Sequence, residues 1–167
     1  AGRFDAEIVP LTVETGNGPS LHLRDEGIRL DATLESMAGV KPINEGGRLT
    51  AATASQIADG SAALLIASER AVKAHGLSPI ARVHHLTVTG GDPVIMLEAP
   101  LQATTHALKK AGMKIEDIDL FEVNEAFAPV PLAWLRHTGA DPARLNVNGG
   151  AISLDHPLGG SGTKLKT

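Results

Sequence analysis

The chain has 167 residues, a formal net charge of −4, an aromatic content of 2% and no cysteine. The lack of cysteine excludes disulfides, thiolate metal ligands and a cysteine nucleophile within these residues. The charge and the scarcity of aromatic side chains disfavour nucleic-acid and anionic-membrane partners, and the apolar runs are far shorter than the ~20 residues of a membrane span. We therefore expect a cytoplasmic α/β protein with neither a metal site nor a membrane segment.

Residues 1–50 predict little regular structure. An extended piece at residues 7–13 precedes a stretch of glycine, proline and serine at residues 16–20. Thr33 is a suitable N-cap for one short helix, which should stop near Gly39. This part of the chain is too rich in loops to form a core of its own.

From about Leu49 the pattern becomes that of an α/β protein. The continuous apolar run at residues 62–67 predicts a strand buried on both faces, as in a parallel sheet. Ser68 should cap a helix over Glu69–His75, and Gly76 should end it.

The second half of the chain continues this alternation. A second strand is predicted at residues 81–89, followed by a helix over Ala99–Ala111 that ends at Gly112. Two further short strands are predicted at residues 120–123 and 145–148.

Asn124 lies where the strand at residues 120–123 gives way to a helix. Pro131 is placed past the first turn of that helix, which predicts a kink or a late start. An asparagine at such a junction is usually a helix cap. Its amide can instead donate a hydrogen bond, directly or through water, to a developing oxyanion.

A glycine-rich segment at residues 146–162 contains His156 followed by Pro157. This is either a turn that feeds a helix, with the histidine exposed, or a base or anion stabiliser beside a helix N-terminus. A third segment, residues 49–60, consists mainly of small residues. It either leaves room for a bulky ligand or places Ser55 as a helix cap.

Together these segments resemble the thiolases, which make or break the carbon–carbon bond of 3-ketoacyl-CoA. Residues 124–127 are similar to the family's Asn-Glu-Ala-Phe motif, and residues 148–159 to its Gly-Gly-Ala and Gly-His-Pro motifs. Residues 50–60 resemble the loop that contacts CoA, and Asp92-Pro93 and residues 116–121 also fall into register. The resemblance covers nearly the whole chain.

The resemblance implies an αβαβα layered fold that is incomplete. Residues 1–48 would be a loop-region segment, and residues 49–78 the closing strand and helix of the first thiolase domain. Residues 79–167 would be a truncated second domain. Because both sheets would be incomplete, we expect unpaired strand edges and poor folding of the isolated chain.

The resemblance also assigns roles. His156 would activate a nucleophilic thiol and donate to the thioester oxygen, Asn124 would hold a water there, and Ser55 would contact CoA. CoA would be a substrate or product rather than a permanently bound cofactor. Both family cysteines fall outside this chain, so the chain alone should be inactive. The intact protein would be a homodimer or a homotetramer acting on acyl-CoA.

The sequence departs from the family pattern at two places. Asp155 stands where the family usually has glycine, and a carboxylate there would favour charged His156 and make it a poorer base. Ala52-Thr53 replaces the commoner Gly-Asn. A non-catalytic acyl-CoA-binding or assembly module is the main alternative. A glycine-loop nucleotide binder ranks last, because no suitably placed phosphate-binding motif is present.

Overall fold

The computed structural model describes residue 2 and residues 4–166. In this part of the chain, two strands form one antiparallel hairpin, while six α-helices and three single-turn 3₁₀ helices make up the remaining regular structure. The strands are β1 (Leu11–Thr15) and β2 (Gly18–His22); the helices are α1 (Leu34–Ala38), α2 (Glu69–His75), α3 (Ala99–Ala111), α4 (Pro129–Thr138), α5 (Ala151–Leu154) and α6 (Ser161–Lys164), and the 3₁₀ turns are Ala51–Thr53, Ile115–Asp117 and Pro142–Arg144. No helix in the described residues is long and apolar enough to cross a bilayer.

The helices predicted from local end signals are confirmed. The Thr33 hydroxyl accepts from the Ser36 amide at 3.1 Å, and the Ser36 hydroxyl accepts from the Thr33 amide at 3.0 Å, which completes a capping box for α1. The Ser68 hydroxyl caps α2 by accepting from the Ala71 amide, and Gly76 ends this helix with a φ of 59°. Helix α3 has the predicted bounds and ends at Gly112, whose φ is 67°.

The sequence predicted either a kink or a late start for the helix after Asn124, and the structure shows a late start for α4. Pro129 is its first residue, and Pro131 still lies in the first turn, where a missing N–H leaves no intrahelical hydrogen bond unmade. Residues 124–128 therefore precede the helix, and their backbone groups are available to pair with another segment.

The core lies where α3 and α4 pack together. Trp134 is 2% exposed, and its indole N–H donates to the Thr104 hydroxyl at 2.8 Å. The ring of Phe121 lies against it with centroids 5.0 Å apart and planes inclined at 59°. Val123 and Val130 complete the centre of this small core, which anchors the segment that carries Asn124.

The predictions of a buried strand at residues 62–67 and of a second strand at residues 81–89 are wrong. Leu65 and Ile66 in the first segment are each 82% exposed, and both segments lack strand pairing. A strand needs a neighbour to take up its backbone hydrogen bonds, and the described residues supply none for either segment. Because neither segment forms a strand, the expected unpaired strand edges and poor folding of the isolated chain stay predictions.

The strands predicted at residues 120–123 and 145–148 are reduced to one parallel bridge between Phe121 and Leu145. The Phe121 amide donates to the Arg144 carbonyl, and the Asn146 amide donates to the Phe121 carbonyl, both at 2.9 Å. Asn146 has a φ of 48°, which turns the chain out of the ladder. The two predicted strands thus pair with each other, but the pairing is limited to one residue in each.

The hairpin of β1 and β2 was not predicted from the sequence. Residues 7–13 were expected to be extended, whereas the strand begins only at Leu11, and the predicted loop at residues 16–20 contains the start of β2. Gly18 has a φ of 97°, which allows the tight turn. The alternation that marks a half-buried strand is absent because both strands are almost wholly exposed.

Candidate functional site

Backbone hydrogen bonds join the small-residue loop to the segment that follows Asn124. The Ala128 amide donates to the Thr53 carbonyl at 2.9 Å, and the Ser55 amide donates to the Ala126 carbonyl at 3.2 Å. Ser55 follows the 3₁₀ turn, which Thr50 caps, so it is not a helix cap. Its half-buried position beside residues 126–128 agrees instead with a place in a binding loop.

The same loop pairs with the histidine segment on its other side. The His156 amide donates to the Gln56 carbonyl at 3.2 Å, and Ile57 and His156 form a parallel bridge. Residues 53–57 therefore lie between residues 126–128 and His156. The structure brings together the three candidate segments, which are far apart in the sequence, and we call this arrangement the three-segment junction.

Asn124 lies at the edge of this junction and is exposed. It does not cap α4, because the helix begins only at Pro129 and its N-cap is Ala128. Together with Glu122 and Trp134, Asn124 lines a groove of about 390 Å³ beside α3. The helix-cap interpretation of Asn124 is therefore excluded, and its amide remains available for a ligand or a water.

The imidazole of His156 is oriented by one specific contact. Its Nδ1 lies 2.7 Å from the Ser161 hydroxyl oxygen, and that hydroxyl donates to the Pro157 carbonyl at 3.2 Å. A serine hydroxyl has only one proton, and when that proton goes to the Pro157 carbonyl the hydroxyl accepts from Nδ1–H. We assign this arrangement, which leaves Nε2 with the lone pair, the form of histidine that can take a proton from a thiol.

Glu125 connects the segment that follows Asn124 to the glycine-rich segment, a role that was not predicted from the sequence. One carboxylate oxygen accepts from the Asn146 side-chain amide at 2.8 Å, and the other accepts from the Ile152 backbone amide at 3.0 Å. A Cβ on Gly150 would overlap the Glu125 carboxylate, so this close approach requires glycine. Its place in the motif beside Asn124 did not predict this role, because both hydrogen-bond partners come from a distant segment.

Asn146 completes this connection from the other side. Its side-chain oxygen accepts from the Val123 amide at 2.9 Å, and its side-chain nitrogen donates to the Val123 carbonyl at 3.0 Å. The Asn146 side chain thus pairs with the Val123 backbone as a neighbouring strand would, one residue before Asn124. Asn146 and Glu125 together fix the backbone on both sides of Asn124.

Two carboxyl groups near the junction have raised pKa values. Burial, and then repulsion from Glu125, raises the pKa of Glu122. Burial is also the main cause that raises the pKa of Asp155, followed by the negative charge of Asp25. The Asp155 side chain interacts with Asp25, so the expected influence of Asp155 on the charge of His156 stays a prediction.

Comparison with known proteins identifies the family. Residues 77–167 match the family model described as the thiolase C-terminal domain, and residues 1–70 match that of the thiolase N-terminal domain. The chain is 59% identical, over its whole length, to the steroid 3-ketoacyl-CoA thiolase FadA6 of Mycobacterium tuberculosis, and it spans 40% of that relative. It is 48% identical to the human mitochondrial 3-ketoacyl-CoA thiolase over 99% of this chain and 42% of the relative.

Solved structures give the same result. The Bacillus anthracis acetyl-CoA acetyltransferase superimposes with a TM-score of 0.93 at 40% identity, over 99% of this chain and 42% of that one. The human mitochondrial 3-ketoacyl-CoA thiolase superimposes with a TM-score of 0.88 at 43% identity, with the same coverage. The chain thus spans about two fifths of the length of the relatives it matches and belongs to the thiolase family, with the fold of a part of the thiolase-like α/β structure.

Proposed function

We propose that this chain supplies the oxyanion-side part of a thiolase-type acyltransferase that acts on acyl-CoA and 3-ketoacyl-CoA. The three-segment junction carries the proposal, because it places the loop of Ser55 between His156 and the residues that follow Asn124. The lone pair that we assign to His156 Nε2 supports a role in proton transfer. The thiolase relatives support the reaction class.

In the proposed reaction, His156 takes the proton of a cysteine thiol, and the thiolate attacks the 3-keto carbon. The carbon–carbon bond breaks, the acyl group stays on this cysteine as a thioester, and the electron pair passes to acetyl-CoA as an enolate, so that negative charge collects on that thioester oxygen. Imidazolium His156 and a water held by Asn124 would donate hydrogen bonds to this oxygen. Removal of one such donor typically lowers kcat by about 10²–10³-fold. The second cysteine would protonate the enolate carbon, and the thiol of a further CoA would then take the acyl group from the first cysteine.

The cysteines must come from segments that these residues do not include, since the sequence contains none. We therefore propose that the chain is inactive alone and works within a longer thiolase. CoA would act as substrate or product and contact the loop of Ser55, without a permanently bound cofactor. We further propose that the longer protein is a homodimer or homotetramer, which sedimentation tests. We also propose that it is cytoplasmic, which cell fractionation tests.

The test is the thiolysis of acetoacetyl-CoA by the protein that carries this chain together with the cysteine segments. His156→Ala should lower kcat/KM by about 10²–10⁴-fold, as expected when a general base is removed. Asn124→Ala should lower it by about 10²–10³-fold. His106→Ala, on the exposed face of α3, is the matched control and should leave the rate unchanged. Full activity of His156→Ala would contradict the proposal.

A second measurement separates the catalytic proposal from the non-catalytic module. Calorimetric titration of CoA into the same protein measures binding without turnover. Binding accompanied by thiolysis supports the enzyme. Binding without thiolysis in the presence of both cysteine segments would instead support an acyl-CoA-binding or assembly module.

A further inference from the structure

Asp155 adopts a backbone conformation that is normally reserved for glycine. Its φ is 61° and its ψ is 167°, and an L side chain reaches this region only at the cost of strain. The residue is also 7% exposed, which is rare for a carboxylate. A strained and buried acidic residue persists only where its surroundings hold it, so its contacts should explain its presence beside His156.

The Asp155 side chain packs against a distant segment, residues 25–29. A Cβ on Gly27 would overlap the Asp155 carboxylate. Gly27 also contacts the small-residue loop, because the Gln56 side-chain amide donates to the Gly27 carbonyl at 2.8 Å. Asp25 closes the segment on itself by accepting from the Gly27 amide at 2.8 Å. Residues 25–29 therefore contact both the small-residue loop and the loop of His156.

Asp155 faces a second carboxyl group. Both Asp155 and Asp25 contact Gly27, and two ionised carboxylates are both acceptors and cannot hydrogen-bond each other. Moreover, Oδ1 of Asp155 is buried and has no hydrogen-bond partner among the described residues. A proton on Asp155 would supply the missing donor.

Other charged groups also face Asp155. Lys164 and Arg29 favour its ionised form, and the Lys164 ammonium donates to the Leu154 carbonyl at 2.9 Å. Burial, first, and the charge of Asp25 act in the opposite direction and outweigh them, so the pKa of Asp155 is raised.

We propose that protonated Asp155 donates to the Asp25 carboxylate and thereby fastens residues 25–29 onto the loop of His156. Asp155 is in this respect a positioning residue. Because the folded protein favours protonated Asp155, the fastening is complete below the ordinary carboxyl pKa and is lost as the pH rises through the raised value. At higher pH two negative charges would face each other, and residues 25–29 would separate more often from the loop.

The first test follows the carboxyl carbon of Asp155 by NMR with ¹³C-labelled aspartate, in the protein that carries this chain together with the cysteine segments. Asp155 should titrate above the ordinary aspartate range, and Asp25→Asn should shift its titration to lower pH, because the facing negative charge is removed. The exposed Asp119→Asn is the control and should leave the Asp155 titration in place. Titration of Asp155 in the ordinary range would overturn the proposal.

The second test measures hydrogen exchange of the Gly27 amide, corrected for intrinsic rates. Its protection should fall severalfold between pH 5 and pH 8, because Asp155 has a raised pKa and loses its proton as the pH rises. Asp155→Asn keeps a hydrogen-bonding side chain without the titration, so its protection should be independent of pH. An equal fall in Asp155→Asn would overturn the proposal. Neither readout depends on acyl transfer, so failure here is distinct from failure of the proposed function.

Discussion

The substitution Glu125→Gln should weaken the connection between the Asn124 segment and the glycine-rich loop. The glutamate accepts two hydrogen bonds, from the Asn146 side chain and from the Ile152 amide. A glutamine of the same shape has one accepting oxygen, so its NH₂ group would face one of the two donors. A hydrogen bond to a charged group is worth about 1.5–3 kcal/mol. We therefore expect a loss of about 2 kcal/mol in the free energy of unfolding.

Urea unfolding of the protein that carries this chain together with the cysteine segments measures this loss, and hydrogen exchange of the Ile152 amide locates it. Glu45→Gln on the exposed surface is the matched control and should change stability by less than about 0.5 kcal/mol. Gly150→Ala adds a test of the same contact, since its Cβ would overlap the Glu125 carboxylate. The cost of Gly150→Ala should be smaller in a Glu125→Ala background than in the wild type. Unchanged stability and unchanged Ile152 protection in Glu125→Gln would refute the reasoning.

Three further substitutions have defined outcomes. Trp134→Phe removes the donor to the Thr104 hydroxyl in the core and should cost about 1–3 kcal/mol in urea unfolding. Ser161→Ala frees the His156 ring and should lower kcat of thiolysis and alter its pH profile while CoA affinity is kept; an unaltered profile would count against the assigned tautomer. Asp155→Gly relieves the strained backbone and should raise stability at pH 8 by about 1 kcal/mol, whereas a loss there would show that the strain is not significant.

The helices could be predicted from the sequence because their signals are local. Thr33 and Ser68 lie within a turn of the amides that they cap, and Gly112 ends α3 by its own backbone conformation. The strands at residues 62–67 and 81–89 could not be predicted reliably, because a strand exists only when another segment pairs with it. Apolar content alone does not show whether that partner is present.

The candidate site divides in the same way. The resemblance to thiolases located Asn124, His156 and Ser55 as motif residues, and the structure adds that their segments meet. The role of Glu125 depends on where the Ile152 amide lies, which no sequence pattern indicates. Asp155 was recognisable as a departure from the family motif. Its partner was not, because only the folded chain brings residues 25–29 against it.

The measurement that tests the account most directly is a double-variant cycle in the thiolysis of acetoacetyl-CoA. If His156 and Asn124 serve the same oxygen, each single alanine variant should lower kcat/KM by at least about 10²-fold. The double variant should then lose less than the product of the two single losses, because residues that act as a unit are not additive. Losses that multiply independently, or single variants with wild-type rates, would contradict the account.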